Sequence, residues 1–249
     1  MKYLYIFEQK FFKGNTSEAL IEIEKFLSED ESKIVGAKNV FLLTECYKTP
    51  KLKTFYENTC DLVTVDGRPL VYLSNILFRS PLPEMVGGPN LWNQILIKFN
   101  THRFYFLGSK ETTLVKAINN IQTNNKHIKI VGHHHGFFDI NENEFMKILN
   151  EIDDLLPDFI YIGMPSPQKE LVAERIKTQF RKRPVVIVII GGAFDYLSGE
   201  KKIGNSVISK LCLDWLLRLV QEPKRLFFRY LKSNSFFLFL IIKKVFLRR

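Results

Sequence analysis

Asp66 ends the β-rich run Val63-Thr64-Val65 and is followed by Gly67-Arg68. A carboxylate at a strand end is placed to act as a general base toward a hydroxyl. Asp-Gly is also a common turn dipeptide, so a turn or capping aspartate is the competing reading. Gly191-Gly192-Ala193-Phe194-Asp195 follows the most apolar run of the chain. Gly191 and Gly192 permit close approach of a ligand to the backbone, and Asp195 can accept hydrogen bonds from a base or a ribose. A tight turn with a capping aspartate fits the same residues. A third candidate is the segment 163–170, Gly-Met-Pro-Ser-Pro-Gln-Lys-Glu. Its two prolines stiffen the loop, Pro167 suits a first helical turn, and Gln168, Lys169 and Glu170 can be held toward a ligand. Plain helix initiation, with Glu170 complementing the helix dipole, is the alternative. His133-His134-His135 has the residue types of a metal site. Adjacent residues do not converge easily on one ion, and no Asp, Glu or Cys stands at a usual ligand spacing. These histidines therefore read as a loop after a strand, and no metal site is expected.

Elements that could position such groups are visible in the periodicity. Short apolar runs at 40–43, 62–65, 104–107, 128–131, 159–162 and 185–190 read as strands. They alternate with helical-period stretches at 16–27, 68–76, 91–99, 111–122, 142–152 and 168–180. That alternation predicts an α/β fold, a mostly parallel sheet wrapped by helices on both faces. The unbroken run Val185-Val186-Ile187-Val188-Ile189-Ile190 suits a central strand buried on both sides. Several strands end in glycine turns: Leu107-Gly108-Ser109, Val131-Gly132, Ile162-Gly163 and Ile190-Gly191-Gly192. Ligands of open α/β sheets bind beyond the carboxyl ends of the strands, where glycine admits a phosphate and a helix N-terminus favours its charge. Simple turn-making is the other use of such glycines.

Composition bounds the classes. The 249 residues suffice for one large α/β domain or two small ones. A hydrophobic content of 46% excludes disorder over most of the length. No apolar run reaches the roughly 20 residues that a bilayer-spanning helix needs, and Glu8 interrupts the N-terminus too early for a signal peptide. The net charge of +10 is concentrated: residues 218–249 hold nine basic residues and one acid, +8, which leaves +2 on the first 217. Such a tail implies a polyanionic partner, an anionic membrane surface or nucleic acid. Residues 206–221 are helix-like, with Leu211, Trp215 and Leu219 on one stripe. Beyond Glu222-Pro223, basic residues mix with Phe, Leu, Ile and Tyr, which suits a membrane interface better than a nucleic acid. A helix for a protein partner or for self-association is the remaining reading. Three cysteines (Cys46, Cys60, Cys212) form neither a disulfide framework nor a zinc pattern and are at home in a reducing cytosol.

Taken in order, these segments resemble the WecG/TagA/CpsF family of bacterial glycosyltransferases over about residues 35–232. The stretches that carry the resemblance begin with Thr44, Val65-Asp66-Gly67-Arg68, Phe106-Leu107-Gly108-Ser109, and Gly132 with Gly136-Phe137-Phe138-Asp139. They continue through 157–170 and 191–199 to Leu213-Asp214-Trp215-Leu216-Leu217-Arg218-Leu219-Val220-Gln221-Glu222-Pro223-Lys224-Arg225 with Arg229-Tyr230, which looks like the family's "EWLyRL…EPrRl…RY" signature. The resemblance implies a Rossmann-like body, residues 1–200, and a helical basic and apolar appendage, 201–249, that aids membrane association and completes the site. It implies an enzyme peripheral on the cytoplasmic face of the membrane. Such enzymes move a sugar, typically N-acetylmannosamine, from a UDP donor to a polyprenyl-diphosphate-linked sugar, with inversion and with neither cofactor nor essential metal. Their products feed common antigen, wall teichoic acid or capsule. Asp66 aligns with the family's proposed base. Thr44, Gly108, Phe137, Lys169, Gly191, Gly192 and Asp195 fall on the donor side, Phe137 and Asp195 toward the uridine. Arg218, Arg225 and Arg229 match the appendage arginines that face the diphosphates.

This chain departs from the family pattern at several of those places. Thr44-Glu45-Cys46 stands for the usual Thr-x-Asn. Glu84-Met85-Val86-Gly87-Gly88-Pro89-Asn90 stands for "ERVxGxD", with Met85 for Arg and Asn90 for Asp. Lys169 occupies the Gln position of "PKQE", and Gly204-Asn205-Ser206 replaces "RAP". The expectation is glycosyl transfer, with no nucleic-acid partner and with the sugar, the acceptor lipid and self-association left open. A non-catalytic nucleotide-binding or scaffold protein at the membrane surface is the competing class.

Overall fold

The computed structural model describes residues 1–201, 216, 219–220 and 222–246, apart from the side chains of 225, 245 and 246. Six strands form one all-parallel sheet: β3 (Lys33–Lys38), β4 (Leu62–Val65), β5 (Arg103–Gly108), β6 (Lys129–His134), β7 (Phe159–Gly163) and β8 (Val186–Ile189). Their spatial order is β4-β3-β8-β7-β5-β6. An antiparallel hairpin, β1 (Tyr3–Ile6) and β2 (Gln9–Phe12), precedes it.

Helices α1 (Thr16–Phe26), α5 (Gly88–Lys98), α6 (Glu111–Asn124) and α9 (Ala193–Leu197) cover one face of the sheet. The other face is covered by α2 (Val40–Lys48), α3 (Pro50–Thr54) with its π-helical extension Phe55–Thr59, α7 (Asn143–Leu155) and α8 (Gln168–Gln179). The period of two in the strands divides the cores. In β5, Phe104 and Phe106 join the first, while Tyr105 and Leu107 join the second. A third core gathers the hairpin, α4 (Arg68–Leu77) and α10 (Pro223–Phe246), with Ile6, Phe11, Leu70, Phe237 and Leu240 buried together.

Most expected elements stand within a few residues of their sequence positions, including the central strand at 185–190. The exception among the strands is 40–43, which opens α2; the strand lies upstream, at Lys33–Lys38. The reason is a cap: the Asn39 side chain accepts a hydrogen bond from the Leu42 amide at 3.0 Å, and Leu42 and Cys46 then bury a helical stripe in the second core while Leu43 enters the third. The hairpin was not anticipated either. Its turn places Phe7 and Glu8 at φ 49° and 60°, positions without the usual Gly or Asn signal. His133 and His134 belong to β6 rather than to the loop after it. The helix expected at 206–221 lies mostly outside the described residues, with Cys212 and the 204–206 departure.

Candidate active site

The polypeptide leaves neighbouring strands toward opposite faces. The helices after β3 and β7 pack on the second core, and those after β5 and β8 pack on the first. In open α/β sheets such a change of face marks the crevice outside the carboxyl rim where ligands bind. Its floor is made of glycines. Gly108 has φ +127°, and a Cβ there would lie 2.4 Å from the Gly163 carbonyl oxygen. A Cβ on Gly163 would lie 2.2 Å from the Phe194 ring. The Ser109 amide donates to the Gly163 carbonyl at 3.0 Å, and the Gly136 amide donates to the Ser109 carbonyl at 2.9 Å. Three strand ends are thus laced at backbone distance, which no side chain at these positions would allow.

Gly191 (φ +57°) and Gly192 complete the floor and stay open above, the nearest side-chain atom to a Cβ on Gly191 being the Lys169 Nζ at 3.8 Å. Lys169 is held there from behind. Its ammonium lies 3.6 Å from the Glu170 carboxylate. Glu170 is buried, and its Oε1 accepts hydrogen bonds from the Tyr56 hydroxyl at 2.8 Å and the Ser166 hydroxyl at 2.7 Å. Glu170, which the sequence offers either as held toward a ligand or as a dipole partner, instead lies buried behind Lys169 and anchors this corner.

Asp66 stands across the rim, at the end of β4. Its amide donates to the Lys38 carbonyl at 2.9 Å, and Gly67 (φ +116°) then turns the chain into α4. The wall over Asp66 is the segment Val86-Gly87-Gly88. A Cβ on Gly88 would lie 2.8 Å from the Asp66 Oδ1, and one on Gly87 would lie 2.9 Å from the Val65 carbonyl. Among the described residues the Asp66 carboxylate has neither a side-chain hydrogen bond nor an ion pair. The double glycine is the sequence signal for this wall.

The other expected residues are distributed unevenly. Phe137 is two-thirds exposed beside the Gly136 turn, its amide donating to the His135 Nδ1 at 3.2 Å. Asp195 is engaged: its Oδ2 pairs with Lys201 at 2.5 Å, and Lys201 pairs also with Glu222. Burial works against the Lys201 charge, but those two hydrogen bonds outweigh it and hold the pKa above its ordinary value. This link ties the loop after β8 to the start of α10. Arg229 reaches the rim from α10, its guanidinium 4.7 Å from the centre of the Phe41 ring in the first turn of α2. Arg218 lies outside the described residues, as does the side chain of Arg225.

Thr44 is not offered to the crevice. It is fully buried, and its hydroxyl donates to the Phe41 carbonyl at 2.8 Å, the back-bond of a helix interior. Cys46 is likewise buried, and burial pushes its thiol up to about 11. Met85 is packed on the third core, and Asn90 is exposed. His134, His135 and Glu144 bring ligand-type atoms within 4.8 Å of one another. The Nδ1 of His135 accepts from the Phe137 amide and that of His134 meets the His135 carbonyl at 2.8 Å, so the two rings are oriented by the loop itself.

Three strand ends joined by glycine, a fixed cation beside them and an unpaired carboxylate across the gap can hold a phosphorylated donor against an acceptor hydroxyl. Two relatives come from Staphylococcus aureus, strains MW2 and NCTC 8325 / PS 47. Each is an N-acetylglucosaminyldiphosphoundecaprenol N-acetyl-beta-D-mannosaminyltransferase, 25% identical over 240 residues that cover 93% of this chain and 89% of that protein. The sequence model of the glycosyl transferase WecG/TagA/CpsF family matches residues 4–249, nearly the whole chain, and the protein belongs to that family of glycosyltransferases.

Proposed function

We propose that this glycosyltransferase moves N-acetylmannosamine, or a related hexose, from a UDP donor to a polyprenyl-diphosphate-linked sugar. The work would be done at the cytoplasmic membrane face, in cell-envelope polysaccharide assembly. The acceptor class follows the Staphylococcus aureus relatives, whose names specify a diphosphoundecaprenol-linked sugar. The observation that carries the reading is the unpaired Asp66 carboxylate, walled by Gly87 and Gly88 and opposite the Gly108–Gly163–Gly191 floor.

In this reading Asp66 removes the proton of the acceptor hydroxyl as its oxygen attacks the anomeric carbon. The bond from that carbon to the UDP oxygen breaks on the opposite face, UDP leaves with the electron pair, and the configuration inverts. The proton ends on Asp66. The diphosphate rests over Gly108, Gly191 and Gly192, and Lys169 meets its growing charge without a metal. Phe137 stacks on uracil. Asp195, oriented by Lys201, holds the ribose or base edge. The body, 1–200, supplies these groups, and the appendage, 201–249, brings Arg218, Arg225 and Arg229 over the diphosphates and seats the enzyme on anionic lipid.

The test is UDP release in detergent from a panel of UDP-sugars with a short polyprenyl-diphosphate-sugar acceptor. Asp66→Asn is expected to lower turnover by about 10²–10⁴-fold with UDP affinity within about twofold of wild type. Unchanged turnover removes Asp66 as the base. UDP binding with no release from any sugar supports the non-catalytic alternative.

A further inference from the structure

Arg68 is the first residue of α4, two positions beyond Asp66. It is half-buried, and its Nε is shut away from solvent without a partner. Among the described residues its guanidinium makes no hydrogen bond and no ion pair, and no nitrogen of it comes within 4.0 Å of the Asp66 carboxylate. Two opposite charges so near in the chain thus leave each other unpaired. A partly desolvated guanidinium without an acceptor is costly, which marks a position that a ligand completes.

Arg229 of α10 also reaches this rim, over the Phe41 ring, and is grouped with the appendage arginines. Lys38, a further cation at this end of β3 and β4, is fully buried and committed to Glu57 at 3.1 Å and Gln9 at 3.2 Å. In the wall over Asp66, Met85 brings no charge, and Glu84 is spent on the amide and hydroxyl of Thr16, both at 2.6 Å. The N-terminus of α4 has no side-chain cap at Gly67, so its first amides add to the positive field.

We infer that Arg68 binds the diphosphate of the lipid-linked acceptor. The inference rests on Asp66 receiving the acceptor hydroxyl. An acceptor sugar whose hydroxyl meets Asp66 carries its diphosphate one sugar ring away, within the reach of an arginine two residues on. The planar guanidinium fork matches phosphate oxygens in pairs, which a carbohydrate hydroxyl does not exploit as well. In the proposed function the donor diphosphate rests instead over Gly108, Gly191 and Gly192 beside Lys169, after β5 and β8 rather than β4.

The experiment uses the full chain in detergent, a short polyprenyl-diphosphate-N-acetylglucosamine as acceptor probe, and the variants Arg68→Gln and Arg68→Lys. Arg68→Gln is expected to raise the acceptor KM by about tenfold or more, the loss typical of a charged hydrogen bond, while kcat, donor KM and UDP Kd stay within about twofold. Arg68→Lys should recover only part of the loss, because it keeps the charge and loses the paired fork. An unchanged acceptor KM overturns the inference. A loss of UDP affinity in place of acceptor affinity also overturns it and reassigns Arg68 to the donor. Equal damage in both variants with a lowered Tm makes Arg68 a structural residue only. Direct titration of the acceptor into Asp66→Asn protein, with and without Arg68→Gln, separates this inference from the assignment of the base. The Arg68 effect on binding should persist there whether or not Asp66 takes the proton.

Discussion

Gly87 and Gly88 adjoin one another in the chain, yet the structure asks different things of them. At Gly87 an added Cβ would strike backbone, the Val65 carbonyl at 2.9 Å and the Asp66 Cα at 3.2 Å. Neither atom can yield without moving β4. At Gly88 the added Cβ would meet the Asp66 Oδ1 at 2.8 Å, the end of a rotatable side chain, in a residue whose φ is +57°. Gly88→Ala therefore costs about 1–2 kcal/mol of stability for the left-handed backbone and swings the carboxylate off its line. Gly88→Ala should lower kcat by about 10–10²-fold, as expected when a positioned base is misplaced, with UDP affinity unchanged. Gly87→Ala should instead appear mainly as a loss of folded protein. Thermal melts and steady-state rates on the pair decide this. If Gly88→Ala turns over normally, the wall does not hold Asp66 in a working rotamer.

At the scale of elements, α10 joins the fold to the membrane reading. Leu226, Ser233, Phe237 and Leu240 face the body, and α10 is clasped to α2 by the Tyr47–Phe236 ring contact and by Lys48 over Phe236. Phe228, Leu231, Leu238, Phe239 and Ile242 recur at three- and four-residue spacing and are exposed, with Lys232, Lys243 and Lys244 beside them. That is an apolar stripe with basic flanks, the pattern of a helix lying in a lipid interface. No described helix is long and apolar enough to cross a membrane. Truncating the chain after Ser233 would remove Phe237 and Leu240 from the third core as well as the stripe, so charge placed on the stripe is the cleaner probe. Leu231→Glu with Phe239→Glu should abolish sedimentation with anionic vesicles while the melting temperature stays put. Raising salt from about 0.05 to 0.5 M should weaken wild-type binding in part, because the basic flanks are screened and the stripe is not. Undiminished binding by the double variant places the lipid contact elsewhere. Periodicity made five of the six parallel strands and the helices α1 and α4 to α8 legible, since strands buried on both faces read as unbroken apolar runs. It failed at 40–43, where one asparagine cap outweighs a β-rich composition, and at the hairpin, whose turn lacks the usual residues. Asp66, Lys169 and the glycine floor were legible because rim chemistry sits at strand ends. Burial of Thr44, the Asp195–Lys201 pair and the idle guanidinium of Arg68 were not, because each depends on what a distant segment does.

Across the whole molecule, charge and burial are sorted into separate places. The net positive charge gathers in the last segment, whereas the interior holds thiols and phenols that the fold keeps protonated. Burial is the leading cause in each case: Cys46 is pushed up to about 11, Cys60 to about 12 and Tyr3 to about 12, while Tyr56 and Tyr161, both fully buried, lie well above the ordinary phenol value. A group whose folded pKa is raised contributes its full stability below the unfolded pKa and loses it as pH rises through the folded one. For the two thiols that loss begins near pH 9 and runs to about 11 or 12, and the phenols add to it from about pH 10. Lys38 has the opposite sign: burial holds its pKa below 10.5, against the pull of Glu57, so its penalty is full at neutral pH and fades as pH rises. One amine of that kind offsets only part of several acids. Urea midpoints should accordingly be level from pH 7 to 8.5 and fall steeply above 9. Cys60→Ala should flatten the alkaline slope by about 2 kcal/mol at pH 10.5, even though loss of its packing lowers the midpoint at pH 7.5. Parallel slopes for the variant and the wild type would show that the Cys60 thiol titrates alike in both states, and alkaline loss would then have to come from Cys46 and the tyrosines.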